Sequence, residues 1–264
     1  MRKSIYYSIF LLLVLLIIQC SPAKYFTTDH SLINMDSSMV NDLQTDSLIK
    51  PYRENLEKEM NEVLVIAAEE FPIEKGKAQT KLGNLVADLS LEIANQLYQP
   101  VDNDSIDFCL LNFGGLRTSL PKGEITKGKI FELMPFENEL VVVTISKEAF
   151  NSLVNYLFQV GGQPISKGLT LVEYLEQHSD VLDMYFLIKE NKYRINSEFK
   201  ILTSDYLANG GDNMSFFSKP IKIEPLNIKL RDAIIKYCES ENRKGNKLTS
   251  VLDDRIILDK LRLK

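Results

Sequence analysis

The chain has 264 residues, of which 45% are hydrophobic and 25% charged, with 12 glycines and 9 prolines. This balance is typical of a folded globular protein and excludes a largely disordered chain. The formal net charge of −5 argues against nonspecific nucleic-acid binding, which needs a basic face to displace counterions from phosphates. We therefore expect no nucleic-acid partner.

The N-terminus has the pattern of a bacterial lipoprotein signal. Two basic residues precede an unbroken run of ten apolar residues from Ile9 to Ile18, and Cys20 follows closely. Such a run is short for a membrane span but suits a signal peptide. We predict a signal peptide over residues 1–19 and a lipidated Cys20 that anchors the protein to a bacterial membrane. The protein would then lie in the cell envelope, facing the periplasm or the exterior. The alternative is an uncleaved anchor helix.

Residues 20–47 are rich in Ser, Asn, Asp and Thr and contain few large apolar groups. This composition predicts a flexible tether between the lipid and the folded body. Residues 48–264 are predicted as one domain. Helices and strands alternate irregularly there, which favours an α/β or α+β fold with a mixed β-sheet flanked by helices.

Apolar spacing and cap residues predict the elements of this domain. A helix from residue 48 is expected to run into an extended segment at 63–67. Further helices are predicted at 80–98, 127–133, 146–159 and 226–241, with Thr80 and Ser146 as N-caps. Strands are predicted at 106–111 and 140–145, and 185–188 is expected to pair with 193–203. A last short element is expected at 256–261.

Two cysteines follow Cys20 in the sequence. Cys109 lies in a strand-like apolar run and Cys238 in a helix-like run, so both are predicted as buried thiols. A disulfide between them stays open as an alternative, because the cell envelope is oxidising.

The sequence lacks the usual catalytic sets. A dinuclear metal phosphatase needs several His, Asp and Asn ligands, whereas this chain has two histidines, His30 and His178, outside any such motif. It has neither a G-x-S-x-G elbow nor a Walker loop. We therefore predict no catalytic residue, no metal site and no cofactor in this chain.

Three segments carry residues that suit a flat or anionic ligand. Residues 112–117 (Asn-Phe-Gly-Gly-Leu-Arg) follow a predicted strand. The glycines there let the backbone approach a ligand closely, and Arg117 offers a fork for phosphate or carboxylate. Pro135 and Phe136 present an aromatic ring before a strand. Residues 206–212 join a tyrosine to a Gly-Gly turn and an acid. Singly, each also suits an ordinary turn or a buried aromatic.

In this order and spacing, the three segments resemble the C-terminal domain of the 5′-nucleotidase / UDP-sugar hydrolase / 2′,3′-cyclic phosphodiesterase family. Residues 82–88 (Leu-Gly-Asn-Leu-Val-Ala-Asp) are similar to its opening helix motif. The resemblance implies a nucleotide or nucleoside ligand. The implied substrate-binding residues are Asn112, Gly114, Gly115, Arg117, Phe136, Tyr206, Gly211 and Asp212.

The resemblance also implies a role for most of these side chains. Phe136 and Tyr206 would sandwich the nucleobase, since every base offers a π-face on both sides. Asn112 would hydrogen-bond the base. Arg117 would bind on the phosphate side and Asp212 would bind the ribose hydroxyls.

The sequence departs from the family pattern just before the helix motif. The family usually carries an Arg and a Glu there, and this chain has Lys75, Lys77 and Gln79. A second guanidinium for phosphate is therefore missing, and either lysine would be a less bidentate substitute. Both departures weaken the expected affinity for nucleotides.

The resemblance covers nearly all of the chain after residue 48. In this family a separate N-terminal calcineurin-like metallophosphatase domain holds two metal ions, and we expect no room for it here. The chain would then be a stand-alone substrate-binding half of a phosphoric monoester hydrolase. A separate metallophosphatase chain would supply the divalent metal ions. The alternative is a noncatalytic envelope lipoprotein that binds nucleosides or nucleotides, so whether the chain takes part in an enzyme stays open.

Overall fold

The computed structural model describes residues 39, 42–101, 103–175, 182–188 and 198–258. The predicted signal peptide, Cys20 and most of the predicted tether lie outside these residues. The chain divides into two compact units, Met1–Ile49 and Lys50–Lys264. Helix α1, Leu43–Met60, begins in the first unit. The tether was predicted to extend to residue 47, but the helix begins at Leu43, inside that range. Asp42 Oδ1 caps this start by accepting a hydrogen bond from Thr45 N at 2.7 Å.

Short helices and strands follow one another through the second unit. The further helices are α2 Lys81–Leu97, α3 Lys127–Leu133, α4 Lys147–Val160, α5 Asp205–Ala208 and α6 Leu230–Arg243. The strands are β1 Val63–Ala67, β2 Phe108–Cys109, β3 Gly123–Thr126, β4 Glu139–Ser146, β5 Leu169–Leu175, β6 Leu182–Ile188, β7 Glu198–Ser204, β8 Lys222–Lys229, β9 Lys247–Leu248 and β10 Ile256–Ile257.

Within the described residues the strands form three sheets, in the orders β2-β7-β4-β8, β3-β1-β9 and β10-β5-β6. Each sheet contains both parallel and antiparallel pairs, and both pairs formed by β4 are antiparallel. The predicted class, an α/β fold with mixed sheets flanked by helices, is confirmed. The strands are divided among three small sheets instead of the one sheet expected.

The four-stranded sheet separates two apolar cores. Along β4, Leu140 and Val142 pack into one core while Val141, Val143 and Ile145 pack into the other. This follows from the period of two, by which successive side chains of a strand point to opposite faces. Helices α2 and α6 pack on the first core, and α4 packs on the second. Burial on both faces explains why β4 reads as a continuous apolar run.

The predicted N-caps are confirmed. Thr80 Oγ1 accepts a hydrogen bond from Gly83 N at 2.9 Å at the start of α2. Ser146 Oγ accepts one from Ala149 N at 3.3 Å at the start of α4. These bonds satisfy backbone donors that have no partner within the first helical turn.

Two further predictions of the sequence are wrong. Residues 185–188 belong to β6, which pairs with β5, whereas β7 lies between β2 and β4, so the two segments are not partners. The helix predicted from residue 226 begins at Leu230, because residues up to Lys229 extend β8 along the edge of β4. Pro225 is compatible with this position, since an edge strand has one side free of ladder bonds.

Cys109 and Cys238 are both buried, as predicted, and both are free thiols, so they form no disulfide. Burial raises the pKa of the Cys109 thiol well above its usual range and raises the pKa of Cys238 to about 12. Among the described helices, none combines the length and apolar character that crossing a membrane requires.

Candidate functional site

A cavity of about 360 Å³ lies where strands β2 and β7 end and strand β4 begins in the four-stranded sheet. Three segments meet there because β7 runs antiparallel to β4 and parallel to β2. The segment after β2, the segment before β4 and the segment after β7 therefore lie at the same end of these strands. These are the three segments singled out in the sequence.

The cavity is lined by Asn112, Gly114, Gly115, Arg117, Phe136, Asn138, Tyr206 and Asp212. The structure thus brings together all the predicted substrate-binding residues except Gly211, which lies behind the Tyr206 ring. Asn138 is a lining residue that the sequence reasoning missed. Its place two residues after Phe136, at the entry to β4, was the one available signal.

The segment after β2 forms a tight turn, Phe113–Gly115, around the Asn112 side chain. A Cβ on Gly115 would lie 3.0 Å from Asn112 Oδ1, and one on Gly114 would lie 3.2 Å from Asn112 Nδ2. A side chain at either position would press on the Asn112 amide and force it to shift by a few tenths of an ångström. Arg117 is exposed, donates from Nη1 to Gly114 O at 3.3 Å, and places its guanidinium carbon 5.9 Å from the centroid of the Phe136 ring.

Phe136 is 41% exposed, and the residues on either side of it are anchored to the start of α6. The Glu137 carboxylate accepts hydrogen bonds from both Lys229 and Arg231. These contacts lower the pKa of Glu137 from 4.5 to about 2, and the hydrogen bond from Lys229 makes the largest contribution. Arg231 Nη1 also donates to Pro135 O at 3.4 Å. The chain on both sides of the ring is therefore fixed by one buried guanidinium.

Arg231 is itself positioned by an aromatic ring. It is 5% exposed, and its guanidinium carbon lies 4.1 Å from the centroid of the Phe131 ring on α3. This is a close cation–π contact. Its Nε is buried and has no hydrogen-bond partner among the described residues.

Tyr206 is 47% exposed and is held by its own hydroxyl group. Its Oη donates to Asp212 Oδ1 at 2.9 Å, and this bond raises the pKa of the Tyr206 phenol. Asp212 Oδ2 accepts a second hydrogen bond from Asn112 Nδ2 at 2.6 Å. The backbone oxygen of Asp212 accepts a third from Tyr156 Oη at 2.9 Å. One acidic residue thus joins two of the three segments of the cavity.

The turn that carries Asp212 requires both an unusual backbone and a glycine. Asp212 has a φ of 51°, in the left-handed region that Asp and Asn enter more readily than most residues. A Cβ on Gly211 would lie 2.5 Å from the Tyr206 ring. The ring therefore packs directly on the Gly211 backbone, which explains why this position has no side chain.

A second cavity, of about 460 Å³, adjoins the first and shares Gly114 and Arg117 with it. Lys75 also lines this second cavity, and Lys77 is not among its lining residues. Gln79, the other departure from the family pattern, donates from Nε2 to Asp253 Oδ1 at 2.9 Å. Within the described residues, His, Cys, Asp and Glu side chains form no group of three or more that could hold a metal ion.

The sequence profile of the 5′-nucleotidase C-terminal domain matches residues 63–219. This chain belongs to that family. The resemblance inferred from residues 112–117, 135–136 and 206–212 is therefore confirmed. Curated relatives of this 5′-nucleotidase C-terminal domain include the trifunctional nucleotide phosphoesterase protein YfkN of Bacillus subtilis, 26% identical over 188 residues. A 5′-nucleotidase of Vibrio parahaemolyticus is 24% identical over 173 residues.

These relatives are much longer proteins. The match covers 67% of this chain but 12% of the Bacillus protein, and 62% of this chain but 28% of the Vibrio protein. Among solved structures, the 5′-nucleotidase precursor of Thermus thermophilus aligns with a TM-score of 0.63 at 21% identity, over 83% of this chain and 44% of that one. The NAD nucleotidase of Haemophilus influenzae aligns with a TM-score of 0.59 at 14% identity, over 82% and 41%. These likenesses establish the fold.

Proposed function

We propose that the 360 Å³ cavity binds a nucleoside or nucleotide with its base between Phe136 and Tyr206. One observation carries the proposal: two rings from segments far apart in the sequence, each more than 40% exposed, line a single cavity. Exposed aromatic rings of this kind suit base stacking, which tolerates any base because every base has a π-face.

The polar residues of the cavity support an orientation for the ligand. Asn112 and Asn138 offer amide groups beside the two rings, as base recognition requires. Arg117 lies where the first cavity joins the second, which Lys75 also lines. We place the base in the first cavity and the phosphate toward Arg117 and Lys75. Glu74 also lines the second cavity, so the two cations exceed the acidic charge there and favour an anion.

We propose further that this domain is the substrate-binding half of a nucleotide hydrolase. A metallophosphatase domain on a separate chain would supply the divalent metal ions and the hydrolytic chemistry. Two facts support this. The family match concerns a C-terminal domain that forms a small part of its longer relatives, and the sequence contains two histidines, too few for the usual metal-ligand set.

A lipid on Cys20 would complete this arrangement. The basic and apolar pattern of residues 1–20 supports anchoring to a membrane of the cell envelope. If the partner is anchored in the same membrane, confinement raises their effective concentration without a large interface. Labelling with a fatty acid checks this: the native chain is expected to incorporate the label and a Cys20→Ser variant is not.

Calorimetric titration with adenosine and AMP tests the binding site. Phe136→Ala and Tyr206→Ala should each weaken adenosine binding roughly 5- to 150-fold, the range for losing one aromatic–base stacking contact. Tyr52→Ala is the control, because Tyr52 is an exposed ring on α1 outside the cavity. Unchanged affinity in both cavity variants would contradict the proposed clamp.

Phosphate release from AMP tests the hydrolytic role. The chain should be captured from native membranes with its partners, and activity measured with added divalent metal. We expect the captured complex to release phosphate and the purified chain alone to release none. Binding without phosphate release in either sample would instead favour a noncatalytic nucleotide-binding lipoprotein.

A further inference from the structure

The end of helix α4 and the loop that follows it contact two of the turns that form the 360 Å³ cavity. We infer that Tyr156, on α4, and Gln163, in the loop, act as one brace that positions both turns for ligand binding. Neither is among the described residues that line the cavity, so both are positioning residues and not ligand contacts. This inference rests on the proposed function and adds the residues that hold its site in shape.

Gln163 holds the turn that follows β2. Its side-chain Oε1 accepts a hydrogen bond from Phe113 N at 2.9 Å. Phe113 begins the turn Phe113–Gly115, and the first N–H of a helical turn has no partner within that turn. The Gln163 side chain therefore satisfies this donor and fixes the residue next to Asn112.

Tyr156 holds the turn that follows β7. Its Oη donates a hydrogen bond to Asp212 O at 2.9 Å. The φ of Asp212 is 51°, a conformation that is costly for a residue with a side chain and persists where surrounding contacts hold it. The bond from Tyr156 is one of those contacts.

The two side chains of the brace also contact each other. Burial raises the pKa of the Tyr156 phenol, and a hydrogen-bonding contact from the Gln163 side chain opposes that rise. Because Gln163 Oε1 faces Phe113 N, the NH₂ group of the same amide is the donor left for the Tyr156 hydroxyl. The amide and the hydroxyl therefore connect one turn to the other.

The loop that carries Gln163 is fixed on both sides of this residue. Gly162 N donates to Leu157 O at 2.8 Å at the end of α4, and Leu111 N donates to Pro164 O at 2.9 Å. A Cβ on Gly162 would lie 2.4 Å from Ala78 O, so the loop packs directly on that backbone. These contacts give the brace a fixed base.

The two turns are also joined directly, because Asn112 Nδ2 donates to Asp212 Oδ2 at 2.6 Å. Together with the brace, this bond closes a ring of contacts through Asn112, Phe113, Gln163, Tyr156 and Asp212. Polar networks of this kind are cooperative, so removing one member weakens the others. Each carboxylate oxygen of Asp212 can accept a second hydrogen bond, so the ring leaves acceptor sites for a ligand.

Calorimetric titration with adenosine tests the brace. Gln163→Met keeps an extended side chain but removes both hydrogen-bonding groups, and Tyr156→Phe removes the hydroxyl alone. We expect each variant to weaken adenosine binding about fivefold. Because the two residues act as one unit, the double variant should lose about tenfold or less, whereas independent residues would lose roughly 25-fold.

Gln159→Met is the matched control. Gln159 is an exposed glutamine on the same helix and is not among the residues that contact either turn. Its affinity for adenosine should equal that of the native chain.

A measurement on the ligand-free chain separates positioning from general stability. In chain labelled with isotopic glycine, the amide signal of Gly115 reports on the turn after β2 and that of Gly211 on the turn after β7. Tyr156→Phe should shift the Gly115 signal, and Gln163→Met should shift the Gly211 signal, because each change passes through the brace to the opposite turn. The Gln159→Met chain should show neither shift.

The outcomes separate this inference from the proposed function. Signals that move only in the turn to which the changed residue is bonded would overturn the brace. So would a lowered unfolding midpoint with native affinity, or losses that multiply to roughly 25-fold in the double variant. A native chain that binds no adenosine would overturn the proposed function, and the glycine signals of the ligand-free variants would then decide the brace by themselves.

Discussion

Phe136 and Tyr206 line the same cavity, but the protein holds Phe136 through its neighbours in the chain and Tyr206 through its own side chain. The Phe136 ring contacts Arg117 at a distance of 5.9 Å from ring centroid to guanidinium carbon. Its neighbours Pro135 and Glu137 accept hydrogen bonds from Arg231. The Tyr206 ring packs on glycine and donates to Asp212 from its hydroxyl. One ring depends on ionic contacts, and the other on shape and one hydrogen bond.

The two modes of support are connected through the backbone. Asp205 Oδ1 accepts hydrogen bonds from Tyr206 N at 2.7 Å and from Glu139 N at 3.1 Å. A single carboxylate thus links the start of α5 to the start of β4. The comparison teaches that the pairing of the strands sets the distance between the segments. The orientation of each ring is set by the side chains that contact it or its neighbours. The two rings should therefore respond to different substitutions and different solution conditions.

Gly211→Ala should have the largest effect, because it acts on Tyr206 through shape. The new Cβ would lie 2.5 Å from the ring, so the ring must move. We expect adenosine affinity to fall by roughly 100-fold, near the upper limit for losing one stacking contact. Calorimetry measures the affinity.

Gly210→Ala is the control for this substitution. A Cβ at Gly210 meets nothing within 4 Å, but its φ of +88° strains a residue that has a side chain. It should lower the unfolding midpoint while keeping most of the affinity. Equal affinities in the two variants would show that Tyr206 does not depend on Gly211.

Arg231→Met tests the support of Phe136. Methionine retains an apolar chain but loses the bonds to Pro135 O and Glu137. Because Arg231 Nε is buried without a partner among the described residues, its loss removes an unfavourable feature as well as favourable ones. We expect a small change in the unfolding midpoint and a loss of adenosine affinity of about tenfold.

Arg243→Met, on the exposed end of the same helix, is the matched control, and its affinity should equal that of the native chain. A large fall in the unfolding midpoint of Arg231→Met with unchanged affinity would make Arg231 a stabilising residue and not a positioning one.

Glu137→Gln should have the smallest effect, and that effect depends on pH. Since the pKa of Glu137 is about 2 in the folded chain against a usual 4.5, its contacts stabilise the fold above pH 4.5 and are lost as the pH falls toward 2. The difference in unfolding midpoint between native and Glu137→Gln chains should shrink over that interval. At neutral pH we expect adenosine affinity to fall by roughly threefold, since exposed ion pairs are weak.

Glu139→Gln is the matched control at neutral pH, because Glu139 is exposed and its carboxylate has no ion pair among the described residues. Its affinity and unfolding midpoint at neutral pH should equal those of the native chain. A difference for Glu137→Gln that stays constant between pH 4.5 and 2 would mean that Lys229 and Arg231 do not set the charge state of Glu137.

The sequence predicted those features of the fold that depend on residues close together in the chain, such as helix starts and buried strands. Thr80 and Ser146 mark helix starts because a cap acts within one turn, and the apolar run of β4 marks a strand buried on both faces. The pairing of β6 with β5 and the late start of α6 depend on strands that are distant in sequence. The spacing of apolar residues along the chain does not show which distant strands will pair.

The same distinction applies to the site. Motif order identified the lining segments, but nothing in residues 134–138 indicates that Arg231 fixes them from α6. Likewise the sequence shows that Tyr206 and Asp212 lie in one turn, while the bond from Asn112 appears only once β2 and β7 are adjacent. The residues that line the cavity were therefore more predictable than the residues that hold them in place.

The shared clamp is tested most directly by nuclear Overhauser effects between bound adenosine and the chain with ring-labelled phenylalanine and tyrosine. Spectra of Phe136→Ala and Tyr206→Ala assign the two rings among the 13 phenylalanines and 11 tyrosines. We expect base protons of one bound adenosine to show effects to both rings. Effects to one ring only, or to neither, would contradict the proposal that Phe136 and Tyr206 enclose the same base.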